Sequence, residues 1–375
     1  MKIKQHQLKG NWELNEVSDS AQLVLVFGDR ALIEATDIAE KFQKAFPNAN
    51  VVYCTTAGEI LNNEVNDNTL AVTAIEFEKT TLECNIAHID TFKDSFEAGQ
   101  QLVQSLKHDN LRHILVLADG QKVNGSELVR GMNEVLDPKV TVSGGLAGDG
   151  ARFQKTLVGL NSNIVPGNLV AIGLYGDHLV VGHGSNGGWD SFGPFRRVTK
   201  SKSNVLYELE GKSALDLYKQ YLGDLAEGLP GSALLFPLSI KLEDDSEPVV
   251  RTILSVNEEE HSMTFAGDIP EGSLARLMKA NFDRLIDAAS GAASNSYTPF
   301  KGQQPELAIL ISCVGRKLVL DQRVDEEVES VRGILGDKTM MTGFYSYGEI
   351  SPILKQSSKC ELHNQTMTIT TFSEI

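Results

Sequence analysis

Short runs of hydrophobic residues, each bounded by glycine or charged residues, recur along the chain and predict β-strands. They have the length of buried strands and are rich in Val, Ile, Leu and Thr. Between many of them apolar residues recur every three to four positions, so that Leu102, Val103 and Leu106 would share one helix face. Strands are predicted at residues 23–27, 51–54, 71–77, 81–89, 113–117, 140–143, 169–174, 233–238, 249–256, 263–266, 308–312, 340–345 and 366–372. Helices are predicted at residues 31–45, 95–106, 125–136, 214–222, 272–289 and 324–335.

The order of these predicted elements repeats, which indicates an internally duplicated α/β unit. Two of the central strands lead into the same Gly-Glu-Ile sequence, at 58–60 and 348–350, whereas the third ends in Gly144-Gly145. The predicted fold class is therefore α+β or mixed α/β, with two domains built from duplicated strand–helix units and mixed sheets. The repeated order covers residues 80–176 and 262–373, and part of it recurs at 23–78.

Residues 176–212 interrupt this order, because they are rich in glycine, polar and aromatic residues and lack a helical period. They predict an extended hairpin that carries a glycine-rich loop. The boundary between the two domains is predicted in the Gly- and Pro-containing segment 223–231.

A formal net charge of −16 disfavours binding to nucleic acid or to an anionic membrane surface. No hydrophobic run approaches the roughly 20 residues of a membrane-spanning helix, and the N-terminus lacks the apolar region of a secretory signal. The four cysteines show no CxxC spacing, which favours reduced thiols over disulfides or zinc ligands. These features predict a soluble cytoplasmic protein without membrane insertion.

The two Gly-Glu pairs, Gly58-Glu59 and Gly348-Glu349, are candidates for a ligand site. Strands of an α/β sheet present their carboxyl ends to the ligand crevice, and a glycine there lets the backbone approach a ligand closely. We therefore expect these strand ends from both halves of the chain to meet around one polar cavity.

Catalytic motifs are missing, which predicts that the protein is not an enzyme. The sequence contains neither Gly-x-Ser-x-Gly nor the HExxH spacing of a zinc hydrolase. Cys54 and Cys313 each end a predicted strand, so either thiol is a candidate nucleophile. The alternative for both is a small hydrophobic residue in the core.

Two residues of the glycine-rich segment suggest further ligand contacts. His183 lies within GHGSNGGW and is a candidate axial ligand of haem iron, with His178 and His88 as alternatives; a histidine bonded only to backbone is the competing interpretation. Trp189 would either wall a ligand pocket or pack in an ordinary core or interface.

An ordered set of motifs resembles the FIST (F-box and intracellular signal transduction) proteins. The motifs are CTTAGEI, GGLAGDGARF, GHGSNGGWDSFGPFRRVTKSKSNVLYELEGKSALDLYKQYLG, SCVGR, GFYSYGEI and LHNQTMTIT. The resemblance covers nearly the whole chain. It implies a FIST N-terminal domain at residues 25–222 and a FIST C-terminal domain at 223–355, with the last strand in 356–375 packing on the latter.

The resemblance implies a sensory module for a small ligand, with an amino acid as the expected class. It further implies output through a separate signalling partner, either a histidine kinase or a cyclic-di-GMP enzyme. The alternative that it implies is a haem protein that senses nitric oxide and regulates a histidine kinase.

These considerations together define the expected ligand site. Arg197 or Arg316 would hold a carboxylate, Glu59 or Glu349 would meet an ammonium group, and His183 would bind metal only if haem is present. Of Tyr345 and Tyr347, which alternate along a strand, only one would face a given side. The expected ligand-binding residues are Thr56, Gly58, Glu59, Gly145, Asp149, Gly184, Trp189, Arg197, Arg316, Tyr345, Tyr347 and Glu349.

Overall fold

Three sheets of the same construction form the body of the protein. The structure is a computed structural model and describes residues 1–10, 14, 18–242, 248–352 and 359–375. Within these residues each of the three sheets has six strands, both parallel and antiparallel, and helices lie between the strands in sequence. The predicted mixed α+β class is confirmed.

The elements fall into three units of similar order. The first unit contains β1 (Lys2–Lys9), β2 (Leu23–Gly28), α1 (Arg30–Ile33), α2 (Ile38–Ala45), β3 (Asn50–Thr55), β4 (Glu59–Leu61), β5 (Glu64–Asn66) and β6 (Thr69–Glu76). The second contains β7 (Thr81–His88), α3 (Ser95–Gln104), β8 (Leu111–Ala118), α4 (Gly125–Val135), β9 (Thr141–Leu146), β10 (Val158–Leu160), β11 (Asn163–Val165) and β12 (Asn168–Tyr175).

The third unit is split by a long insertion. It begins with β13 (Leu179–Asn186). The insertion contains β14 (Asp190–Lys202), β15 (Val205–Leu209), β16 (Lys212–Ser213), α5 (Ala214–Leu222), β17 (Leu238–Lys241), β18 (Val249–Arg251), β19 (Ile253–Asn257), β20 (Ser262–Phe265) and β21 (Leu274–Lys279). The unit then resumes with α6 (Phe282–Tyr297), β22 (Leu307–Cys313), α7 (Val314–Leu320), α8 (Val324–Leu335), β23 (Met340–Ser346), β24 (Gly348–Pro352), β25 (Cys360–His363) and β26 (Met367–Glu374).

Each unit donates its short hairpin to the sheet of another unit, so the three sheets are joined in a ring. Hairpin β4–β5 extends the third sheet next to β23, β10–β11 extends the first sheet next to β3, and β24–β25 extends the second sheet next to β9. The strand orders are β1-β6-β2-β3-β10-β11, β7-β12-β8-β9-β24-β25 and β13-β26-β22-β23-β4-β5. The repeat predicted from the sequence is thus a threefold repetition in the structure.

The centre of the molecule is a hydrophobic cluster shared by all three sheets. Strands β2 and β22 are buried at every position, as parallel strands covered on both faces are. Leu25, Leu117 and Ile309 lie in this cluster, and the rings of Phe27 and Phe344 are 4.8 Å apart. Full burial of one such side chain adds about 1.5–3 kcal/mol to the stability of the folded state. The shared core therefore holds the three units together.

Several of the helices begin at capping residues that the sequence supplies. Asp94, Asn124 and Ser213 precede α3, α4 and α5, and each side chain accepts a hydrogen bond from the backbone N–H three residues later. Such a cap contributes about 1 kcal/mol. The longest helix of the described residues, α6, has 16 residues, and none in this part of the chain is both long and apolar enough to cross a bilayer.

The insertion folds as a unit of its own around a separate sheet. This sheet runs β18-β17-β21-β14-β15-β20-β19, with β16 paired to β15, and α5 packs with it in a distinct hydrophobic cluster. The predicted boundary at residues 222 and 223 therefore falls inside this unit, and the Gly- and Pro-containing segment forms 3₁₀ turns at Gly223–Gly228 and Gly231–Leu235. Sheets two and three each contain strands from both predicted domains.

Four predicted elements differ from the structure; one is the predicted strand at 249–256, which is divided at Thr252 into β18 and β19 at opposite ends of the inserted sheet. The predicted helix at 272–289 is the strand β21 followed by α6, because β21 is hydrogen-bonded on both sides, to β14 and β17, and this pairing outweighs the helix propensity of its residues. The predicted helix at 31–45 is divided into α1 and α2, and the predicted strand at 233–238 begins as a 3₁₀ turn.

Candidate ligand-binding site

A cavity of about 440 Å³ lies between the three-sheet body and the inserted unit. This volume is within the range of pockets for small molecules. Its lining residues are Gly120, Gln121, Lys122, Val123, Asn124, Leu146, Phe153, Asn204, Pro230, Gly231, Leu234, Thr252, Ile253, Leu254, Phe265, Ala266, Gly267, Cys313, Val314 and Tyr347.

The carboxyl ends of parallel strands form one wall of the cavity. Gly120 follows β8 by two residues, Leu146 ends β9 and Cys313 ends β22, while Tyr347 lies directly after β23. The opposite wall is contributed by the inserted unit, through β19, β20 and the 3₁₀ turn that contains Leu234. The cavity is therefore at the strand ends where the general rule for α/β sheets places ligands.

Thr252 lines the cavity with a hydroxyl that has no partner. Its residue is only 4% exposed, and Oγ1 makes no hydrogen bond to any of the described residues. A buried hydroxyl without a partner costs about 1–3 kcal/mol, which a polar atom brought within reach of Oγ1 would recover.

Phe153 stands at the cavity in a strained backbone conformation. Its φ of +52° lies in the left-handed region, which is unusual for a bulky residue. The Phe153 N–H donates to the hydroxyl of Tyr347 at 3.2 Å, and the two rings stack with centroids 4.6 Å apart. Asp149 anchors the same loop, because it accepts hydrogen bonds from Arg152 at 2.7 Å and Arg30 at 2.9 Å. The buried Asp149 thus supports the cavity without lining it.

Glu59 and Glu349, which were expected to face a ligand, are buried within the body. Glu59 accepts hydrogen bonds from the hydroxyls of Thr56 at 2.6 Å and Thr69 at 2.8 Å. Glu349 repeats this arrangement, with Ser346 at 2.8 Å and Thr366 at 2.9 Å. Neither carboxyl lines the cavity.

Burial disfavours the charged form of both carboxyl groups. It raises the pKa of Glu59 to about 7 and that of Glu349 to about 8, although the hydrogen bonds to each oppose the shift. Contrary to the prediction from the sequence, Glu59 and Glu349 are therefore not placed to meet a ligand ammonium group in the cavity. The reason is geometric: each glutamate lies within a strand, β4 or β24, that pairs with the sheet of another unit.

Arg316 and Tyr345 also have internal partners. The fully buried Arg316 donates from Nε to Glu327 at 2.7 Å and from Nη2 to the carbonyl of Leu285 at 2.8 Å. The Tyr345 hydroxyl donates to the other carboxylate oxygen of Glu327 at 2.8 Å. Arg316 is therefore not placed to hold a ligand carboxylate, and of the two predicted tyrosines only Tyr347 lines the cavity.

Arg197 lies far along β14 and is exposed; it donates to the carbonyl of Gly272 at 3.1 Å. Trp189 is buried and donates from its indole nitrogen to the carbonyl of Gln365 at 2.8 Å. It packs in a cluster with Met278 and Leu285, which favours the core interpretation of this tryptophan over the pocket wall.

The predicted glycines serve close packing. A Cβ on Gly184 would lie 1.8 Å from the carbonyl oxygen of Ala292 in α6, and one on Gly145 would lie 2.8 Å from Ile311. Gly58 has a φ of +139°, which favours glycine at the turn into β4. None of these three glycines lines the cavity.

A second cavity of about 280 Å³ is lined by residues of α4, β17 and β25, together with Arg251 and Asp268. The buried Arg251 lines it and donates to the carbonyl of Leu362 at 2.9 Å, while its carboxylate neighbours Asp268 and Glu361 also line the cavity. Cations and anions are balanced in this lining, so it selects no charge on a ligand.

The surroundings of His183 do not fit a haem ligand. The strand β13 is pressed against α6 at Gly184, and the ring of His183 faces the buried ring of His113 at 5.2 Å. Burial lowers the pKa of His183 to about 4, and neither ring nitrogen has a partner among the described residues. Neither cavity has a histidine in its described lining, so neither of them adjoins this ring.

The two alternative histidines are bonded to backbone carbonyls. His88 contacts the oxygen of Pro166 at 2.9 Å, and His178 contacts that of Ile375 at 2.8 Å. In the described part of the chain, no three His, Cys, Asp or Glu side chains are grouped as a metal site.

We expect the purified protein, expressed with haem supplementation, to show no Soret band. The reason is the packed environment of His183, which leaves no room beside its ring nitrogens. Absorbance at the Soret wavelength and pyridine haemochrome titration measure this. Stoichiometric haem that disappears on His183→Ala substitution would contradict the expectation.

The two cysteines considered as nucleophiles are both buried. Cys54 lies within β3, whereas Cys313, 2% exposed, lines the cavity. Burial raises the pKa of both thiols, which disfavours the thiolate needed for attack.

Sequence analysis missed the residues that distinguish the cavity: Lys122, Phe153 and Thr252. The only local signal at Phe153 was its position after GGLAGDGAR, a glycine-rich segment able to hold strained backbone. Nothing near Thr252 in the sequence marks it, because its neighbours in space come from other strands.

Comparison with known families matches nearly the whole chain. The FIST N domain matches residues 22–212, and the FIST C domain matches residues 214–352. These domains are associated with sensory roles in signal transduction. The chain is also 22% identical over 329 residues to an uncharacterised protein of Methanocaldococcus jannaschii; the match covers 78% of this chain but only 60% of that protein.

Two solved structures show a weak likeness over the full length. A chorismatase has a TM-score of 0.35 at 10% identity, and a cyanuric acid hydrolase from A. caulinodans has a TM-score of 0.37 at 7% identity. Each comparison covers 99% of this chain and 98% of the other. At these scores the likeness extends to neither activity nor substrate.

Proposed function

Since the chain belongs to the FIST family, with both its N and C domains, we propose that it is a cytoplasmic sensory protein whose small-molecule ligand binds in the cavity between the body and the inserted unit. The observation that carries the proposal is that Thr252, a residue of the cavity lining, has a buried hydroxyl without a partner among the described residues. A ligand that accepts or donates there would recover a hydrogen bond that the free protein lacks.

The position of the cavity supports a signalling role. Its walls come from two separately folded parts, the three-sheet body and the inserted unit, so a ligand that bridges them would favour one relative arrangement over others. A separate partner, such as a histidine kinase or a cyclic-di-GMP enzyme, would bind that arrangement in preference to the others. The partner's class rests on the family association alone.

A role without catalysis fits the groups at the cavity. The only cysteine in its described lining is Cys313, whose thiol burial keeps protonated, and no histidine lies beside it there to act as a base. We therefore propose binding rather than turnover as the function.

Thr252→Val should weaken the binding of a ligand that stabilises the protein. The substitution removes a hydroxyl and keeps the shape, so we expect unchanged or slightly increased stability without ligand and about tenfold weaker binding, the loss of roughly 1.4 kcal/mol. Ligands would be found by thermal shift in a metabolite panel and measured by calorimetry; a compound at 100 times its Kd stabilises by about 2.7 kcal/mol.

Thr342→Val is the matched control. Thr342 is fully buried with an equally unpartnered hydroxyl, but it lies in β23 away from the cavity. Its substitution should leave affinity unchanged. If both substitutions changed the ligand affinity equally, the ligand would bind elsewhere. If no compound of the panel raised the melting temperature, the proposal would be wrong.

Filling the cavity should abolish binding. Ala266 is half-buried and lines the cavity, so the larger side chain of Ala266→Phe would occupy space that the ligand needs. Ala31→Phe, on the exposed surface of α1, introduces the same side chain elsewhere. Calorimetry on both variants checks this, and undiminished binding to Ala266→Phe would exclude the cavity as the site.

A further inference from the structure

One charged side chain, that of the exposed Lys122, belongs to the cavity lining. Lys122 is the only ionisable cation or anion that lines it among the described residues, apart from groups such as Tyr347 and Cys313 that burial keeps neutral. The Lys122 ammonium lies 3.6 Å from Asp90, a mostly exposed carboxylate outside the lining. An exposed pair of this kind is weak, so a ligand anion can displace Asp90 without a large cost.

The rest of the lining is largely hydrophobic. Leu146, Ile253, Phe265 and Val314 form its sides, and the polar groups between them are uncharged. A cation or a zwitterion would leave a positive group facing these side chains without a counter-ion, which is costly in an apolar pocket. This disagrees with the amino acid expected from the sequence.

Phe153 gives the cavity a planar aromatic surface. The residue is 38% exposed even though the stack with Tyr347 and the anchoring of the loop by Asp149 hold it in a strained conformation. Strained residues that the surroundings hold in place cluster at functional sites. A flat ligand would stack on the open face of this ring.

We propose that the ligand is a carboxylate with an apolar, planar body, whose negative group binds Lys122 while the body stacks on Phe153 and contacts the hydrophobic sides. This inference rests on the proposed function and narrows it to one chemical class. Thr252 supplies the remaining hydrogen bond to a polar substituent or to the carboxylate itself.

The test compares aryl carboxylates with their uncharged analogues on the full chain. Phenylacetate and indole-3-acetate are each paired with the primary amide, and phenethylamine and L-phenylalanine represent the cation and the zwitterion. Calorimetry at pH 7 should give at least tenfold tighter binding of a carboxylate than of its amide, and no binding of the amine. Lys122→Met should remove this preference by weakening the carboxylate alone, whereas Lys139→Met, at an exposed site outside the cavity, should not.

The outcomes separate this inference from the proposed function. If the amide, the amine or the zwitterion binds as tightly as the carboxylate, or if Lys122→Met binds carboxylates normally, the chemical class is wrong. Binding of any such compound that is lost in Ala266→Phe would still support the cavity as the site. If no member of this series or of the metabolite panel binds, both conclusions fall.

Discussion

Arg316→Ala should lower the free energy of unfolding by about 3–5 kcal/mol, the usual cost of removing one partner of a buried ion pair. Arg316 and Glu327 are both fully buried, and the loss of the guanidinium would leave the carboxylate without its charge partner in the core. Two further donors, Ser312 and Tyr345, converge on the same carboxylate, so the damage would extend to β22 and β23. Urea denaturation followed by fluorescence measures the loss.

Arg323→Ala is the matched control. Arg323 forms ion pairs with Asp283 and Glu326 at 2.9 and 2.8 Å, but on the protein surface, where such pairs contribute about 0–1 kcal/mol. The two variants remove the same side chain and the same charge. A loss for Arg316→Ala no larger than that for Arg323→Ala would show that the buried pair does not stabilise the junction of α7 and α8.

The second large effect is a fall in stability as the pH rises from 7 to 9, above the range in which the buried His113, His183 and His363, whose pKa values burial lowers, act in the opposite direction. Glu59 and Glu349 have pKa values of about 7 and about 8 in the folded protein, against an ordinary value of 4.5. Between the ordinary and the folded pKa, the unfolded chain has lost protons that the folded protein still holds. The linkage relation then requires the free energy of unfolding to decrease with pH.

The decrease is complete only above the folded pKa of each group. Below about pH 4.5 both groups are protonated in both states and contribute nothing to the slope. Once each carboxyl is fully deprotonated in the folded protein, its contribution lowers the free energy of unfolding by roughly 3 kcal/mol for Glu59 and 5 kcal/mol for Glu349. Urea denaturation midpoints collected at pH 7, 8 and 9 would measure this loss.

Glu349→Gln tests the assignment of this slope. The amide stays neutral at every pH and can still accept the hydrogen bond from the N–H of Thr366. We therefore expect a flatter pH profile and a variant more stable than the wild type at pH 9. Glu40→Gln removes the charge of an exposed glutamate in α2 and should reproduce the wild-type slope. A wild-type slope in Glu349→Gln would mean that Glu349 is charged throughout.

Much of the secondary structure could be predicted from local patterns. The helices at 214–222 and 324–335 have the predicted bounds, since apolar spacing is a local property of the sequence. The repeat was also visible, because related units keep the same order of hydrophobic runs and two of them keep Gly-Glu-Ile. The exchange of hairpins and the separate sheet of the insertion, which depend on contacts distant in sequence, were not predicted.

The candidate site could be predicted far less well. Tyr347 alone among the expected ligand-binding residues lines the cavity, and the glutamates next to the predicted strand ends turn inward. A sequence shows that Gly58 and Gly348 permit a turn, but not which way the chain leaves it. The direction is decided by the neighbouring sheet that receives the hairpin.

The sequence by itself determined the class of fold, the repeated unit and the family, because all three depend on residue order and local hydrophobic periodicity. The tertiary structure alone decided which charges are buried, where the insertion sits and which residues surround the cavity. Those properties depend on pairings such as β24 with β9, in which residues about 200 positions apart become neighbours and exclude water from the groups between them.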